Sequence, residues 1–223
     1  MGLMERQALD GVAVFVSETD AIGAEARAQA RRLALRSAAA VLGADEREVG
    51  IQHEPGGRPY LVGAGLGLHV SITHGRGLAA VALTRLAPVG LDLEVVRAVP
   101  TLPLARKWFT GAEGEWIEAQ PLERRAAAFF WLWTRKEALG KALGIGLREG
   151  GTKRPVGLPA VWRTAGEERL LPEPGADRHC FAMPSSPWQP ENVVLALALP
   201  GGESDVMGTP VALWTPENTH RSH

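Results

Sequence analysis

Two carboxylates at alternate positions of one apolar segment are the first residues whose types and spacing suggest chemistry. The segment is Gly90-Leu91-Asp92-Leu93-Glu94, which predicts a strand with Asp92 and Glu94 on the same face. Two anionic side chains on one face repel each other unless a cation or solvent separates them. Their oxygens suit a hard divalent cation such as Mg²⁺, although a strand with a solvated acidic face carries the same pattern.

A second group lies on one stripe of a predicted helix. Trp133, Glu137 and Lys141 follow one another at intervals of four residues, which places them on the same helical face. The preceding Phe129-Phe130-Trp131-Leu132 is bulky and apolar all round, which predicts a largely buried helix. A carboxylate and an ammonium group are costly there unless they face a partner or a site. A surface ion pair between Glu137 and Lys141 is the competing interpretation.

The third segment, Val70-Ser71-Ile72-Thr73-His74-Gly75, brings a hydroxyl and an imidazole to a glycine-rich turn. A lone histidine is usually structural. Beside Arg76 and the backbone donors of a turn, it could also bind phosphate. The spacing leaves both interpretations open.

Composition limits the classes of protein to consider. The 223 residues, with 45% hydrophobic and 22% charged residues, indicate one large globular domain or two small ones. A net charge of −1 creates no field toward nucleic acid or a membrane surface, so neither partner is expected. The single cysteine, Cys180, and the scattered histidines argue against disulfide and zinc chemistry. Since there is neither a signal segment nor a long apolar run, a cytoplasmic protein is expected.

The elements that must position these residues follow from periodicity and breakers. A helix is predicted from Ala21 to Leu42, ended by Gly43, and another from Ala126 to Leu143. Thr110 and Glu113 have the spacing of a capping box at the start of another helix. Strands are predicted over Val12–Val16, Leu68–Thr73, Leu78–Thr84, Val89–Val95 and Val193–Leu199.

These elements predict an α+β fold in which a similar unit occurs roughly twice. The three middle strands are expected to form an antiparallel meander beside the first helix, and the seam between the halves falls near residues 97–103. We therefore predict an N-terminal half over residues 1–98, which carries the acidic strand, and a C-terminal half over 99–223. The last ~20 residues are expected to be frayed.

In this order, the segments resemble the phosphopantetheinyl transferase superfamily, and specifically its long, single-chain Sfp-type members. The family's Gly-x-Asp-x-Glu strand appears at residues 90–94, and its Trp-Ser/Thr-x-Lys-Glu-(x)₃-Lys helix at residues 133–141. Residues 108–113 resemble its Phe-(x)₃-Glu segment, 57–60 its Gly-Lys-Pro turn and 71–74 its Asn-x-Ser-His segment. The resemblance spans roughly residues 27–146.

The resemblance implies a role for each matching residue. Asp92, Glu94 and Glu137 would hold Mg²⁺, which bridges the pyrophosphate of coenzyme A, and Lys141 would contact the same pyrophosphate. The nucleotide end of coenzyme A would be bound by Arg27, Arg58, Thr73 and His74. Lys136 would contact another part of that substrate, or none.

The identity of the general base stays open at this stage. Glu137 or Glu113 could take the proton from the attacking serine, directly or through a water. A carboxylate that already ligates Mg²⁺ is the poorer base, which favours Glu113. The chain also departs from the family pattern, with Arg58 in place of lysine, Thr73 in place of serine and Gly75 in place of a frequent second serine. None of these changes touches the metal set.

The function that the resemblance implies is transfer of the 4'-phosphopantetheine arm of coenzyme A to a serine of an apo acyl, polyketide or peptidyl carrier protein, with release of adenosine 3',5'-bisphosphate. The fold would be a monomeric pseudo-dimer of two α+β halves, with the active site in the cleft between them. Residues 101–122 are a candidate for contact with the acidic carrier. The alternatives are a non-catalytic relative that binds coenzyme A or carrier proteins, and another Mg²⁺-dependent phosphoryl-transfer enzyme.

Overall fold

The structure, a computed structural model, describes residues 10–147, 150–159, 171–172, 179–182, 192–200 and 209–214. The described helices are α1 (Gly23–Leu42), α2 (Thr101–Trp108), α3 (Gly111–Glu118) and α4 (Arg125–Ala142). The strands are β1 (Val12–Glu18), β2 (Val49–His53), β3 (Pro59–Gly63), β4 (His69–Gly75), β5 (Leu78–Thr84), β6 (Gly90–Val95), β7 (Leu171–Pro172), β8 (His179–Ala182), β9 (Val193–Pro200) and β10 (Val211–Trp214). The mixed α+β class is confirmed.

Helix α1 forms because small apolar residues recur at helical spacing. Ala26, Ala30, Ala34 and Ala38 are all buried and line the face that packs on the first sheet. Gly43 ends the helix in the left-handed conformation, with φ of 63°, and its N–H caps the last carbonyls. Both the helix and its terminator match the prediction.

The first sheet has the strand order β10-β1-β5-β4. Strands β4 and β5 form a hairpin whose two-residue turn is Arg76-Gly77, with φ of 49° and 84°. Positive φ at both positions is what a tight type I′ hairpin requires. The turn brings His74 and Arg76 to the end of the sheet that faces the acidic strand.

The second sheet has the strand order β6-β9-β8-β7, and β2 and β3 form a separate hairpin. The two faces of β9 pack into two different hydrophobic cores. Val193, Leu195, Leu197 and Leu199 pack with β1 and β5 of the first sheet, whereas Val194, Ala196 and Ala198 pack with α4. The molecule is therefore layered as α1, first sheet, second sheet and α4.

The strand pairing differs from the predicted meander of β4, β5 and β6, and part of the tail that was predicted to be frayed forms a strand. Strand β5 pairs with β1 on its second edge and not with β6, which instead pairs with β9. Adjacency in sequence misled the prediction, because β5 is buried on both faces and takes the equally apolar β1 as its neighbour. Strand β10 forms in the tail that was expected to be frayed, and it pairs in parallel with β1. The rest of that tail lies outside the described residues.

The pairing of β6 also bears on the predicted division at residues 98 and 99. The acidic strand, assigned above to the N-terminal half, is hydrogen-bonded to a strand of the C-terminal half. Likewise β10, from the C-terminal half, joins the N-terminal sheet. None of the helices in the described part of the chain combines the length and apolar character needed to cross a bilayer.

Candidate active site

The acidic strand β6 lies directly against α4. A Cβ atom at Gly90 would come within 1.8 Å of the Ala138 carbonyl oxygen and 2.6 Å of the Ala142 nitrogen. No side chain fits between the two backbones, so only glycine permits this approach. Gly90 thereby brings the carboxylates of the strand next to the helix that carries Glu137 and Lys141.

Asp92 is the most enclosed of the three predicted metal ligands, with 6% of its surface exposed. Its Oδ1 accepts hydrogen bonds from Lys141 Nζ at 2.7 Å and from Thr73 Oγ1 at 3.0 Å. Its Oδ2 is buried and finds no hydrogen-bond partner among the described residues. A buried carboxylate oxygen without a partner is costly, and a cation would satisfy it.

Glu94 is half-buried, and burial raises the pKa of its carboxyl above the ordinary range. Arg97 opposes that shift, since its Nη1 lies 3.0 Å from Glu94 Oε2. The neighbouring charges of Asp92 and Arg76 also act on this carboxyl, the first raising its pKa and the second lowering it. The carboxylates of Glu94 and Asp92 are therefore close enough for the charge of Asp92 to raise the pKa of Glu94.

Glu137 has the most perturbed carboxyl of the site. Burial, the nearby carboxylate of Asp92 and that of Glu94 raise its pKa to about 7, while Lys141 opposes the shift. Lys141, one turn further along α4, also donates to the carbonyl of Leu91 at 2.9 Å. Glu137 and Lys141 thus lie next to the acidic strand, and no ion pair between them is found in the described part of the chain.

His74 lies among basic groups at the end of β4. Burial lowers the pKa of its imidazole, and the charges of Arg27 and Lys141 lower it further. A cluster of one imidazole, one guanidinium and one ammonium group attracts a phosphate. The structure thus brings together His74, Arg27 and Lys141 from β4, α1 and α4.

Two hydroxyls join the edge of the first sheet to the acidic strand. Thr73 donates to Asp92, and Ser71 Oγ accepts the backbone N–H of Leu91 at 2.9 Å. Both hydroxyl residues are buried. Thr73 therefore contacts the predicted metal ligand Asp92.

Arg58 is held by contacts from both sides. Its Nε and Nη2 donate to Glu54 at 3.0 Å each, and its Nη1 donates to the carbonyl of Ala142, in the last turn of α4, at 3.2 Å. All three guanidinium nitrogens of Arg58 are thus engaged within the protein.

Glu113 and Lys136 form a buried ion pair, with Nζ 2.8 Å from Oε1 and side chains only 2% and 1% exposed. Glu113 Oε2 also accepts the N–H of Thr110 at 2.9 Å, which completes the predicted capping box of α3. Its Oε1 accepts the N–H of Val156 at 3.1 Å. Lys136 Nζ further donates to the carbonyl of Arg154. The ammonium group of Lys136 is therefore engaged in the interior, by Glu113 and by the Arg154 carbonyl.

Two residues of the site were missed from the sequence. Arg97 pairs with Glu94, and Glu54 pairs with Arg58. Both pairs were visible as opposite charges three and four residues apart. Their importance was hidden, because neither pair lies on a helix, where such spacing would predict contact.

Part of the chain is similar in sequence to known proteins. A model of the 4'-phosphopantetheinyl transferase superfamily matches residues 88–179. The chain is 35% identical over 109 residues to the 4'-phosphopantetheinyl transferase HetI of Nostoc sp., covering 48% of this chain and 46% of that protein. It is 41% identical over 64 residues to the 4'-phosphopantetheinyl transferase psf-1 of Bacillus pumilus, covering 29% and 27%. The 4'-phosphopantetheinyl transferase AcpT of Salmonella typhi is 38% identical over 82 residues, covering 36% and 43%.

Strand β6 and helix α4, which carry the acidic residues and Lys141, both lie within the segment that the superfamily model matches. Over these segments the chain is similar to 4'-phosphopantetheinyl transferases. The matched segments span less than half the length of these relatives. Arg27, Arg58, Thr73 and His74 lie before the segment that the superfamily model matches.

Proposed function

We propose that this chain is a 4'-phosphopantetheinyl transferase that uses coenzyme A and a serine of an apo acyl, polyketide or peptidyl carrier protein. The observation that carries the proposal is the convergence of β6 and α4. Lys141 reaches Asp92 at 2.7 Å, and the pKa of Glu137 is raised by burial and by the charges of Asp92 and Glu94. The relatives, whose names state this activity, support the same assignment.

We propose Asp92, Glu94 and Glu137 as the residues that would hold Mg²⁺. No group of three or more histidine, cysteine or acidic side chains within the described ranges is gathered tightly enough to bind a metal as it stands. The donors nevertheless suit the ion, since all are carboxylate oxygens and Asp92 Oδ2 is buried without a partner. When bound, Mg²⁺ would neutralise charge on the pyrophosphate as the bond to the leaving group breaks.

Lys141, His74 and Arg27 are proposed to bind the phosphates of coenzyme A. Lys141 donates a hydrogen bond to Asp92 of the acidic strand, and its charge lowers the pKa of His74. Lys141 is therefore close to both the acidic strand and His74. An ammonium group can turn from Asp92 to a phosphate oxygen by rotation of its flexible stem. His74 and Arg27 would then hold a second phosphate at the outer end of the site.

Glu137 is the stronger candidate for the general base. Without a metal its carboxyl has a pKa of about 7, which suits taking a proton near neutral pH, whereas ligation of Mg²⁺ would lower that pKa and make Glu137 a poorer base. Both oxygens of Glu113 are already engaged, and the side chain is 2% exposed. We therefore propose that Glu137, directly or through a water, accepts the proton of the carrier serine. The serine oxygen then attacks the phosphorus, and adenosine 3',5'-bisphosphate leaves.

We further propose that the layers correspond to the two halves of a pseudo-dimer, divided near residues 98 and 99, with the substrates in the cleft between them. The crossing of β6 and β10 would then represent strands exchanged between the halves. Residues 101–122 remain our proposal for the contact with the acidic carrier. Arg106 and Lys107 lie on α2 within that range and would supply complementary charge.

The direct test is an intact-mass assay with Mg²⁺, coenzyme A and apo carrier proteins from fatty acid, polyketide and peptide pathways. We expect one of these carriers to gain the mass of a single phosphopantetheine arm. If every carrier stays unmodified while coenzyme A binds, the non-catalytic alternative holds. If coenzyme A does not bind at all, another Mg²⁺-dependent phosphoryl-transfer reaction must be sought.

A further inference from the structure

The loop between β2 and β3 packs backbone to backbone on the end of α4. A Cβ atom at Gly56 would lie 2.8 Å from the carbonyl oxygen of Gly144, and one at Gly144 would lie 3.3 Å from the guanidinium carbon of Arg58. Gly144 has a φ of 75°, which favours glycine as well. Two distant parts of the chain therefore meet here with little spare space.

Arg58 ties this contact together with its whole guanidinium group. Two nitrogens bind both oxygens of Glu54 in a bidentate pair, and the third donates to the carbonyl of Ala142. That carbonyl belongs to the last turn of α4, where backbone acceptors lack helical partners and favour a cation. The side chain of Arg58 is 27% exposed, so the pair is partly shielded from solvent.

The contact forms a wall of a cavity beside the proposed active site. The cavity has a volume of about 200 Å³, and its lining includes Gly57, Arg58, Ser71, Lys141, Gly144 and Gly146. Lys141 connects it to Asp92, and Ser71 connects it to β6. A displacement of Arg58 would consequently move both the loop and the end of the helix that carries Lys141.

We propose that Glu54 and Arg58 form a brace between the β2–β3 loop and α4, so that Arg58 positions the cavity wall and does not itself neutralise a phosphate. Glu54 balances the charge of Arg58, and the bidentate geometry uses the planar fork that distinguishes arginine from lysine. A lysine at position 58 would keep the positive charge but could not bind Glu54 with two nitrogens and the Ala142 carbonyl with a third. This inference rests on the proposed function, because coenzyme A is the ligand used to test it. The brace can also be tested without coenzyme A, through the melting temperature.

The two roles of Arg58 predict opposite results for Glu54→Gln. A brace that loses its carboxylate loosens the cavity wall, so coenzyme A should bind more weakly, about tenfold. If Arg58 were a phosphate ligand held back by Glu54, the same variant would free the guanidinium and strengthen binding. Calorimetric titration with coenzyme A, without metal, measures the sign directly.

Two substitutions of Arg58 sharpen the test. The brace predicts that Arg58→Lys and Arg58→Gln weaken binding by a similar factor, and that both leave the ratio of affinities for coenzyme A and 3'-dephospho-coenzyme A unchanged. A phosphate ligand predicts that Arg58→Lys binds almost as tightly as the unaltered chain and that Arg58→Gln changes the ratio. Either of the latter results overturns the proposal.

A double-mutant cycle on melting temperature separates the brace from the proposed function. The double variant should lower Tm by less than the sum of the losses in Glu54→Gln and Arg58→Gln, because both single variants remove the Glu54–Arg58 contact. Additive losses would overturn the brace, whether or not coenzyme A binds. Arg47→Gln is the matched control, since Arg47 forms an equally bidentate pair with Asp45 on the exposed surface and its loss should leave binding and Tm unchanged.

Discussion

Glu137 lies among two carboxylates and one ammonium group, and burial is the largest cause of its raised pKa of about 7. A carboxyl whose pKa is higher in the folded state than in the unfolded chain binds its proton more tightly when folded. The free energy of unfolding therefore falls as pH rises from the ordinary value of 4.5 toward 7, and the cost is fully present above that range. A bound divalent cation would reverse this cost.

The first prediction concerns Glu137→Gln in buffer that contains a chelator. The variant should melt ~2–6 °C above the unaltered chain at pH above 7, because it removes a buried charge. Below pH 4 the two should melt together. Scanning calorimetry across this range tests it, with the exposed Glu115→Gln as control. A difference in Tm that does not vary with pH would contradict the assigned environment of Glu137.

The second prediction concerns the buried pair of Glu113 and Lys136. Glu113→Gln leaves the ammonium of Lys136 without its carboxylate in the interior, which should cost about 3–5 kcal/mol of the free energy of unfolding. Adding Lys136→Met should recover part of that loss, since no uncompensated charge remains. Urea unfolding of both variants measures the difference. A fully stable but inactive Glu113→Gln would instead restore Glu113 as the general base.

At the scale of elements, Gly90 controls how closely β6 and α4 approach. The third prediction is that Gly90→Ala lowers stability by several kcal/mol, about 2–4, because its Cβ would fall 1.8 Å from a backbone oxygen that cannot yield. Urea unfolding measures this, and Gly114→Ala is the control, since a Cβ there meets no atom within 4 Å. Equal stability of the two variants would show that strand and helix are not packed as described.

The elements themselves were largely predictable, whereas their pairing was not. Alanines at helical spacing and a terminal glycine define α1, and the Thr110–Glu113 capping box starts α3, because these signals are local. The pairing of β6 with β9 depends on contacts between residues about a hundred positions apart, such as Asp92 with Ala196. No local pattern specifies such a partner when several strands are equally apolar.

The same limit applies to the candidate site. The stripe of Glu137 and Lys141 and the shared face of Asp92 and Glu94 followed from period alone. Lys136 is next to Glu137 in sequence, but its side chain points inward to Glu113. This direction depends on how α4 is rotated about its own axis, which the spacing of its residues does not specify. Residue types matched to the family gave Lys136 and Arg58 ligand roles, and only the tertiary contacts revealed their buried or bidentate partners.

At the scale of the whole molecule, the residues of the candidate site come from β4, β6, α1 and α4. A ligand that binds all of them should therefore stabilise the entire fold. The fourth prediction is that coenzyme A with Mg²⁺ at about 100 times its dissociation constant adds about 2.7 kcal/mol to the free energy of unfolding. Thermal melts with and without a chelator measure this. His74→Ala should lose most of the gain from coenzyme A and keep the melting temperature of the ligand-free chain, whereas an unchanged gain would leave His74 a structural residue.

We have proposed that Asp92, Glu94 and Glu137 hold one divalent cation while the chain transfers phosphopantetheine. The most direct measurement is the rate of arm transfer to an apo carrier as Mg²⁺ is titrated, for the unaltered chain and for Asp92→Asn. We expect a rate that saturates with Mg²⁺ in the former and falls by about 10²–10³-fold in the variant, with its fold intact by circular dichroism. An Asp92→Asn chain that transfers the arm at the normal rate, or a rate indifferent to Mg²⁺, would contradict the account.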